Sequence, residues 1–338
     1  MRFARFVAAL AALLWAGAAA AQTPYTDLGL LISSKRYRYG YAYAPAIVRE
    51  GGVTHMLYCS YGRPGIWDFI RYARSTDGGR SWSDPVVAVE GSDEVGERAA
   101  CDPSVVRYQA PDDDRPYWYL FYSGNAKDIG TAIFLARADE VTGPYAKWTR
   151  RGTWEVDAAD PAAIMQPGRP KPDNTGFYGA GQQSVVVSGR SLWMWYTDDT
   201  GCAAACPKVL VTRGREPTRL PPGAATDVQG LWSVDVKQDP LGGFALVGIA
   251  QAHEAGSALV ARHSADGFGW DGPRVLCGEG CLDRYAHNAG LSGDATGALT
   301  DGPALVVYGG PLDRDRRCGT CWGRWDLFGG LVPPTALR

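Results

Sequence analysis

The stretch Cys101-Asp102-Pro103-Ser104-Val105-Val106 decides the reading of this chain, because variants of it recur along the sequence. The same form returns as Ala44-Pro45-Ala46-Ile47-Val48, as Gln182-Gln183-Ser184-Val185-Val186 and, more loosely, as Trp232-Ser233-Val234-Asp235-Val236. Each copy is a small or polar lead-in followed by a short apolar run, the pattern of a buried strand. A second strand-like run follows each copy, for instance Trp118-Tyr119-Leu120-Phe121-Tyr122 or Leu192-Trp193-Met194-Trp195-Tyr196. A third run then ends on Arg74, Arg137, Arg213 or Arg262. From the position aligned with Pro45 to that arginine the count is 29, 34, 30 and 30 residues, a regularity that marks internal repeats. Because the arginines recur with the repeat, they read as structural and are left out of the site.

A fifth unit spans Leu282 to Leu331, with strands expected near Ala289-Gly290-Leu291, Ala304 to Tyr308 and Asp326-Leu327-Phe328. Ahead of the first unit lies one more strand pattern, Leu28 to Ile32, placed to complete the last unit and so protect sheet edges. After the third strand of unit one comes Ser75-Thr76-Asp77-Gly78-Gly79-Arg80-Ser81-Trp82, a Ser-x-Asp-x-Gly-x-x-Trp turn with a looser copy at Ser264 to Trp270. Asp and Gly make such a turn, side-chain oxygens bond to its backbone, and the indole packs beneath. The segment 152–176, rich in Pro, Asp and Gly, reads as an insertion between units. Helical periodicity is absent. Short strands, frequent turns and five units predict an all-β chain, a single five-bladed β-propeller over residues 22–338.

The first 21 residues stand apart. Arg2 and Arg5, the apolar run Phe6 to Trp15 and Ala19-Ala20-Ala21 before Gln22 read as a cleavable signal peptide, which implies a periplasmic or secreted protein. That run is shorter than the roughly 20 residues a spanning helix needs, and no other long one follows, so no membrane span is expected. With 34 basic against 36 acidic residues, nothing suggests nucleic acid. The 12 Trp and 17 Tyr suit β-sheet packing and equally suit stacking on sugar rings. Eight cysteines fit an oxidising compartment, with Cys59–Cys101, Cys202–Cys206, Cys277–Cys281 and Cys318–Cys321 as the preferred pairs and zinc ligation as the alternative.

With these residues in view, the chain resembles the five-bladed glycosidases of glycoside hydrolase families 43, 32, 62 and 68, and its Asp-x-Gly turn resembles that of sialidase-type propellers. The likeness rests on Asp102 to Val106, Trp118 to Gly124, Gly181 to Val186 with Trp195-Tyr196-Thr197-Asp198, and Ala286-His287-Asn288. It implies one acid on each of the first three units, serving as base or nucleophile, modulating Asp and general acid Glu around a glycosidic bond. Asp102 matches the second. Ala44 stands in the first place, and Gly181 or Gln182 in the third.

The candidate catalytic residues are therefore Asp102, Asp235 and Glu97. Strand alternation puts Asp235 on one face with Lys237, and Glu97 lies close enough to Asp102 to overhang the same pocket. Candidate substrate contacts are Tyr41, Tyr43, Gln182, Gln183, Lys237, His287 and Asn288. By its place, His287 resembles a histidine that holds a central cation or substrate in family 43 enzymes, so a central Ca or Na ion is the cofactor expectation. Each has a structural alternative: an Asp235–Lys237 ion pair, a hydrogen-bonded core histidine, packed tyrosines. The scan finds no phosphate loop, His-Glu-x-x-His motif or Ser/His/Asp signature. The function expected is that of a monomeric glycoside hydrolase-like enzyme acting on a glycan in the central pocket. The alternative is a non-catalytic glycan-binding propeller.

Overall fold

The repeats form antiparallel strand runs. The computed structural model describes residues 25–338 except 39, 65, 93–96, 127–128, 169–177, 201–207, 229, 279–280, 283–284 and 312–322. The segment expected to be a signal peptide and the cysteines at 202, 206, 318 and 321 lie outside the described residues. The described chain opens with β1 (Thr26–Ile32) and one helical turn, α1 (Ser34–Tyr37), whose Arg36 N–H donates to the Ser33 hydroxyl oxygen. There follow β2 (Ala42–Glu50), β3 (Val53–Arg63), β4 (Ile66–Ser75) and β5 (Val86–Val89). Next come β6 (Cys101–Tyr108), β7 (Tyr117–Ala126), β8 (Gly130–Ala138), β9 (Ala146–Trp148), β10 (Trp154–Glu155) and β11 (Ala163–Met165). The third run is β12 (Ala180–Ser188), β13 (Ser191–Asp198), β14 (Lys208–Gly214) and β15 (Ala224–Ala225). The fourth is β16 (Leu231–Gln238), β17 (Phe244–Ala250), β18 (Ala258–Ser264) and β19 (Arg274–Cys277). The last is β20 (His287–Gly293), β21 (Ala304–Pro311) and β22 (Trp325–Val332).

These strands make four sheets, of eight, six, four and four strands, and not the five expected. The reason lies at one seam. Strand β2 pairs in parallel with β20 at Ile47↔Ser292 and Val48↔Gly293, which fuses the first run and the last into one eight-stranded sheet. Gly290 permits the approach, since a Cβ there would meet the Pro45 carbonyl oxygen at 2.0 Å. Strand β1 pairs with β22, so the N-terminal strand completes the last run as expected.

The first strand of each run is its innermost. β2 packs against β6, β6 against β12, β12 against β16, β16 against β20, and β20 back against β2, which closes a ring. Both faces of these strands are covered, and they read as continuous apolar runs where an exposed strand would alternate. The core is correspondingly divided between neighbouring runs. Val48, Leu57 and Ile70 meet Trp118, Leu120 and Tyr122 at one junction. Val106, Tyr119 and Phe121 meet Val185, Met194 and Tyr196 at the next.

The turn Ser75 to Trp82 has the local bonding its sequence implies. The backbone N–H groups of Arg80 and Ser81 donate to Asp77 Oδ1 at 3.0 and 2.9 Å, and Trp82 Nε1 donates to the Gly79 carbonyl at 3.0 Å. Three donated bonds from Ser81 and Ser75 hold the Asp77 carboxyl well below the usual range. The segment 152–168 is more ordered than its composition suggests. It supplies β10, paired with β9, and β11, paired with β8, so that part of the expected insertion extends the second sheet. The recurring arginines are structural where their contacts are seen. Arg137 bonds Asp113 at 2.8 Å and covers the Tyr117 and Trp154 rings, and Arg213 covers Trp193.

Candidate functional site

Each inner strand is interrupted near its start by a bulge. Two residues of β2, β6, β12 and β16 oppose one on the partner strand, between Tyr43 and Ala46, Cys101 and Ser104, Gly181 and Ser184, and Leu231 and Val234. A register shift occurs at the matching place in β20, between His287 and Ala289. The bulged positions are Ala44, Asp102, Gln182, Trp232 and Asn288. Four of them have left-handed backbone, with φ of 50° at Ala44, 46° at Asp102, 50° at Gln182 and 36° at Asn288. Such a conformation costs a non-glycine residue roughly 1 kcal/mol or more, and proteins concentrate it at functional sites. Four of the five bulged residues, Asp102, Gln182, Trp232 and Asn288, line one cavity. The bulge also corrects the alignment in the fourth run, where Trp232 and not Leu231 holds the place of Asp102.

Asp102 is 7% exposed. Its Oδ2 accepts from the Tyr178 hydroxyl at 2.7 Å, and its Oδ1 from Asn288 Nδ2 at 3.2 Å. Burial pushes its carboxyl above the ordinary range, and the bond from Tyr178 works against that rise. The Tyr178 hydroxyl fills the space a side chain at position 181 would need. A Cβ at Gly181 would lie 2.6 Å from that oxygen and 2.5 Å from Ser123 Oγ. Gly181 and Tyr178 thus explain each other, and no carboxylate can enter from position 181 without displacing the partner of Asp102.

Above Asp102 opens a cavity of about 410 Å³. Of the residues named from the sequence, Tyr43, Asp102, Gln182, His287 and Asn288 line it. On one wall His287 stacks between Trp325 at 4.8 Å and Tyr43 at 5.3 Å, with His253 4.1 Å away. Burial and the neighbouring His253 hold the His287 ring far below the usual imidazole range, so it is neutral at physiological pH. Trp232, 51% exposed, presents an indole to the cavity from β16.

Other expected residues lie elsewhere. Tyr41 bonds through its hydroxyl to Asp68 and to the Trp67 carbonyl at 3.2 Å. Gln183 acts behind the site, where Nε2 donates to the carbonyl of Asp102 and, at 3.0 Å, to that of Phe121. Asp235 and Lys237 form an ion pair of 2.5 Å beside a narrow axial space of about 30 Å³, room for about one water. Asp235 also accepts from Ser184 Oγ and Leu291 N, so it ties three inner strands together. Glu97 is 0% exposed and bonds Lys147 at 2.5 Å and Tyr122. It belongs to the core of the second sheet and does not line the cavity.

Residues missed by the sequence reading include Tyr178, Trp232, His253 and Glu254, all of which line the cavity. His253 and Gln251 share a loop after β17 and have left-handed backbone, at 64° and 50°. Only the repeat alignment could have signalled Trp232, and it was one residue out of register.

The disulfides Cys59–Cys101 and Cys277–Cys281 form as expected. A hard cation needs six to eight oxygen ligands, or close to it. The surroundings of His287 are rings, and among the described residues the cluster with metal-like geometry, Cys59, Asp68 and Cys101, has both thiols in a disulfide. These residues do not fit a Ca or Na site, and no chemistry is assigned to one. No helix among the described residues is long and apolar enough to cross a membrane.

No protein-family model matches the chain, and no curated protein matches it in sequence. Solved structures do match. The α-L-arabinofuranosidase of Podospora anserina, in complex with cellotriose, aligns at TM-score 0.59 and 12% identity over 92% of this chain and 96% of that one. A family 62 glycoside hydrolase in complex with xylotriose gives 0.62 and 14% over 91% and 97%. An N-acetylgalactosamine deacetylase from F. plautii, in complex with blood group B trisaccharide, gives 0.58 and 16% over 86% and 89%. One fold thus carries different reactions on sugars, so the chemistry must be argued from the site. The chain has the β-propeller fold of the glycosidases it resembles.

Proposed function

We propose that this protein is a glycoside hydrolase-like enzyme that acts on a glycan held in the 410 Å³ cavity, with Asp102 at the glycosidic bond. The observation that carries this reading is the placement of Asp102. It is a buried carboxyl with a raised titration range, aimed by a left-handed bulge into a cavity walled by aromatic rings. A buried carboxyl so placed suits a group that takes up or releases a proton during a reaction. Trp232 offers a flat apolar face for a sugar ring, and Asn288, Gln182 and Tyr178 offer polar groups for its hydroxyls. The eight-stranded sheet is read as two four-stranded blades joined at their inner strands, which makes five blades in all. The chain is further proposed to be exported by its N-terminal segment and to act as a monomer.

A second reading is supported by Ala44 and Gln182. The bulge positions of the first and third runs carry no charge, so Asp102 is the sole carboxylate among the five, as expected of a propeller that binds a glycan without cleaving it. The test is a panel of neutral and acidic oligosaccharides and polysaccharides given to the oxidatively folded mature protein. Release of new reducing ends supports the enzyme. Saturable binding without release supports the second reading, and neither outcome would leave the cavity without a glycan role.

A further inference from the structure

Asp68, which no part of the sequence reading singled out, lies beside the site. It sits in β4 and is largely buried. Its carboxylate accepts from the Tyr41 hydroxyl, and its backbone carbonyl accepts from Ala100 N at 2.9 Å, immediately before Cys101. A carboxylate oxygen of Asp68 and the sulfurs of Cys59 and Cys101 all lie within 4.8 Å of one another. Cys101 Sγ is in turn 3.7 Å from Asp102 Oδ1. The Asp68 and Asp102 carboxylates are therefore no more than 8.5 Å apart. The Tyr43 hydroxyl, 2.9 Å from Cys101 Sγ, stands beside the same bridge, and both carboxylates act on it.

We propose that Asp68 is a second carboxyl electrostatically coupled to Asp102 across the Cys59–Cys101 disulfide, so that a charge on either one disfavours a charge on the other. This rests on the reading of Asp102 as the reacting group. Among the described residues, the titratable groups facing Asp68 are Tyr41 just ahead of β2, Tyr43 from β2, Tyr61 from β3 through Tyr41, Asp102 from β6 and Tyr178 ahead of β12. Arg71, on the other face of β4, is bonded to Ser60 Oγ at 2.8 Å. The facing groups are thus neutral tyrosines and one carboxylate. Burial and the negative charge of Asp102 push Asp68 up to about 7, against the bond from Tyr41. Whichever carboxyl ionises first raises the other, so the pair holds its last proton more tightly than its first. Two carboxyls whose surroundings separate their titrations in this way are the usual setting of acid–base work on a glycosidic bond.

The coupling has a calculable size. Unit charges 8.5 Å apart shift each other by about 0.4 pH unit in a water-like medium and about 1.4 units at the effective dielectric of ~20 that suits buried groups. The experiment is a carboxyl ¹³C NMR titration of the folded wild-type protein, Asp68→Asn and Asp102→Asn, with selective assignment of the two aspartates. In Asp102→Asn the Asp68 midpoint is expected to fall from about 7 by at least 0.4 unit. An unmoved midpoint, or an Asp68 that titrates in the ordinary carboxylate range in the wild type, would overturn the proposal. Should Asp68→Asn fail to fold, the wild type and Asp102→Asn still decide the matter. The readout needs no turnover, so an inactive glycan panel would sink the enzymatic reading and leave this coupling tested by itself. If turnover is found, Asp68→Asn should also remove the alkaline limb near pH 7 with KM little changed.

Discussion

Replacing Lys147 by Met while Glu97 stays in place tests whether Glu97 is a structural acid. Glu97 is 0% exposed, and among the described residues Lys147 is the cation bonded to it, at 2.5 Å, while the ammonium also donates to the Glu90 carbonyl at 2.6 Å. Burial raises the Glu97 carboxyl, and Lys147 is the strongest influence bringing it down. Removing one partner of a buried pair leaves an uncompensated charge and costs about 3–5 kcal/mol. Replacing both, as Glu97→Gln with Lys147→Met, leaves groups of similar volume without a stranded charge, and most of that loss should return. Denaturant unfolding followed by tryptophan fluorescence reads both variants against the wild type. Lys147→Met costing less than about 1 kcal/mol would refute the argument, as would a double variant no more stable than the single one. The double variant should also keep wild-type activity, because Glu97 does not line the cavity. A stable double variant without activity would return Glu97 to the chemistry.

Four further outcomes follow from the same geometry. Ala44→Gly should leave stability unchanged or raise it by up to about 1 kcal/mol in thermal unfolding, since φ is 50° there, whereas Ala44→Val should destabilise. Trp232→Ala should weaken glycan binding roughly tenfold in calorimetry with little loss of stability, the ring being half exposed. Loss of the Cys59–Cys101 bridge, which spans 42 residues, should cost about 4 kcal/mol in the chain-entropy picture, read from Cys59→Ser/Cys101→Ser. Asp68 is raised in the folded state, so the stability that its proton supplies is full below about pH 4 and is lost as pH rises through about 7. Asp68→Asn should therefore flatten the stability profile across that window, and an unchanged profile would contradict the shift.

Much of the fold was legible because inner strands covered on both faces leave continuous apolar runs, and those repeat. The terminal strand at Leu28 to Ile32, the Asp77 turn and two of the cysteine pairs could be read for the same local reasons. The fused seam at Ile47 and Val48 could not, since a parallel approach at Gly290 leaves no mark beyond one glycine. Within the site, Asp102 stood out by its motif, and Tyr43, Gln182, His287 and Asn288 by their places in the repeat. Asp235, Lys237 and Glu97 were charged residues near the right strands, and their burial turned them into internal ion pairs. Tyr178, His253 and Asp68 approach the site from loops and an outer strand, where the repeat pattern gives no register. The left-handed bulge was equally hidden, because Ala44 and Gln182 are not residues that announce such backbone.

The central claim is that Asp102 does the work of the cavity, and the rate of Asp102→Asn on the glycan that the wild type processes tests it most directly. Its kcat should fall roughly a thousandfold or more, with the folded state retained and glycan affinity within about tenfold of the wild type. A variant that turns over its glycan at close to the wild-type rate would contradict it.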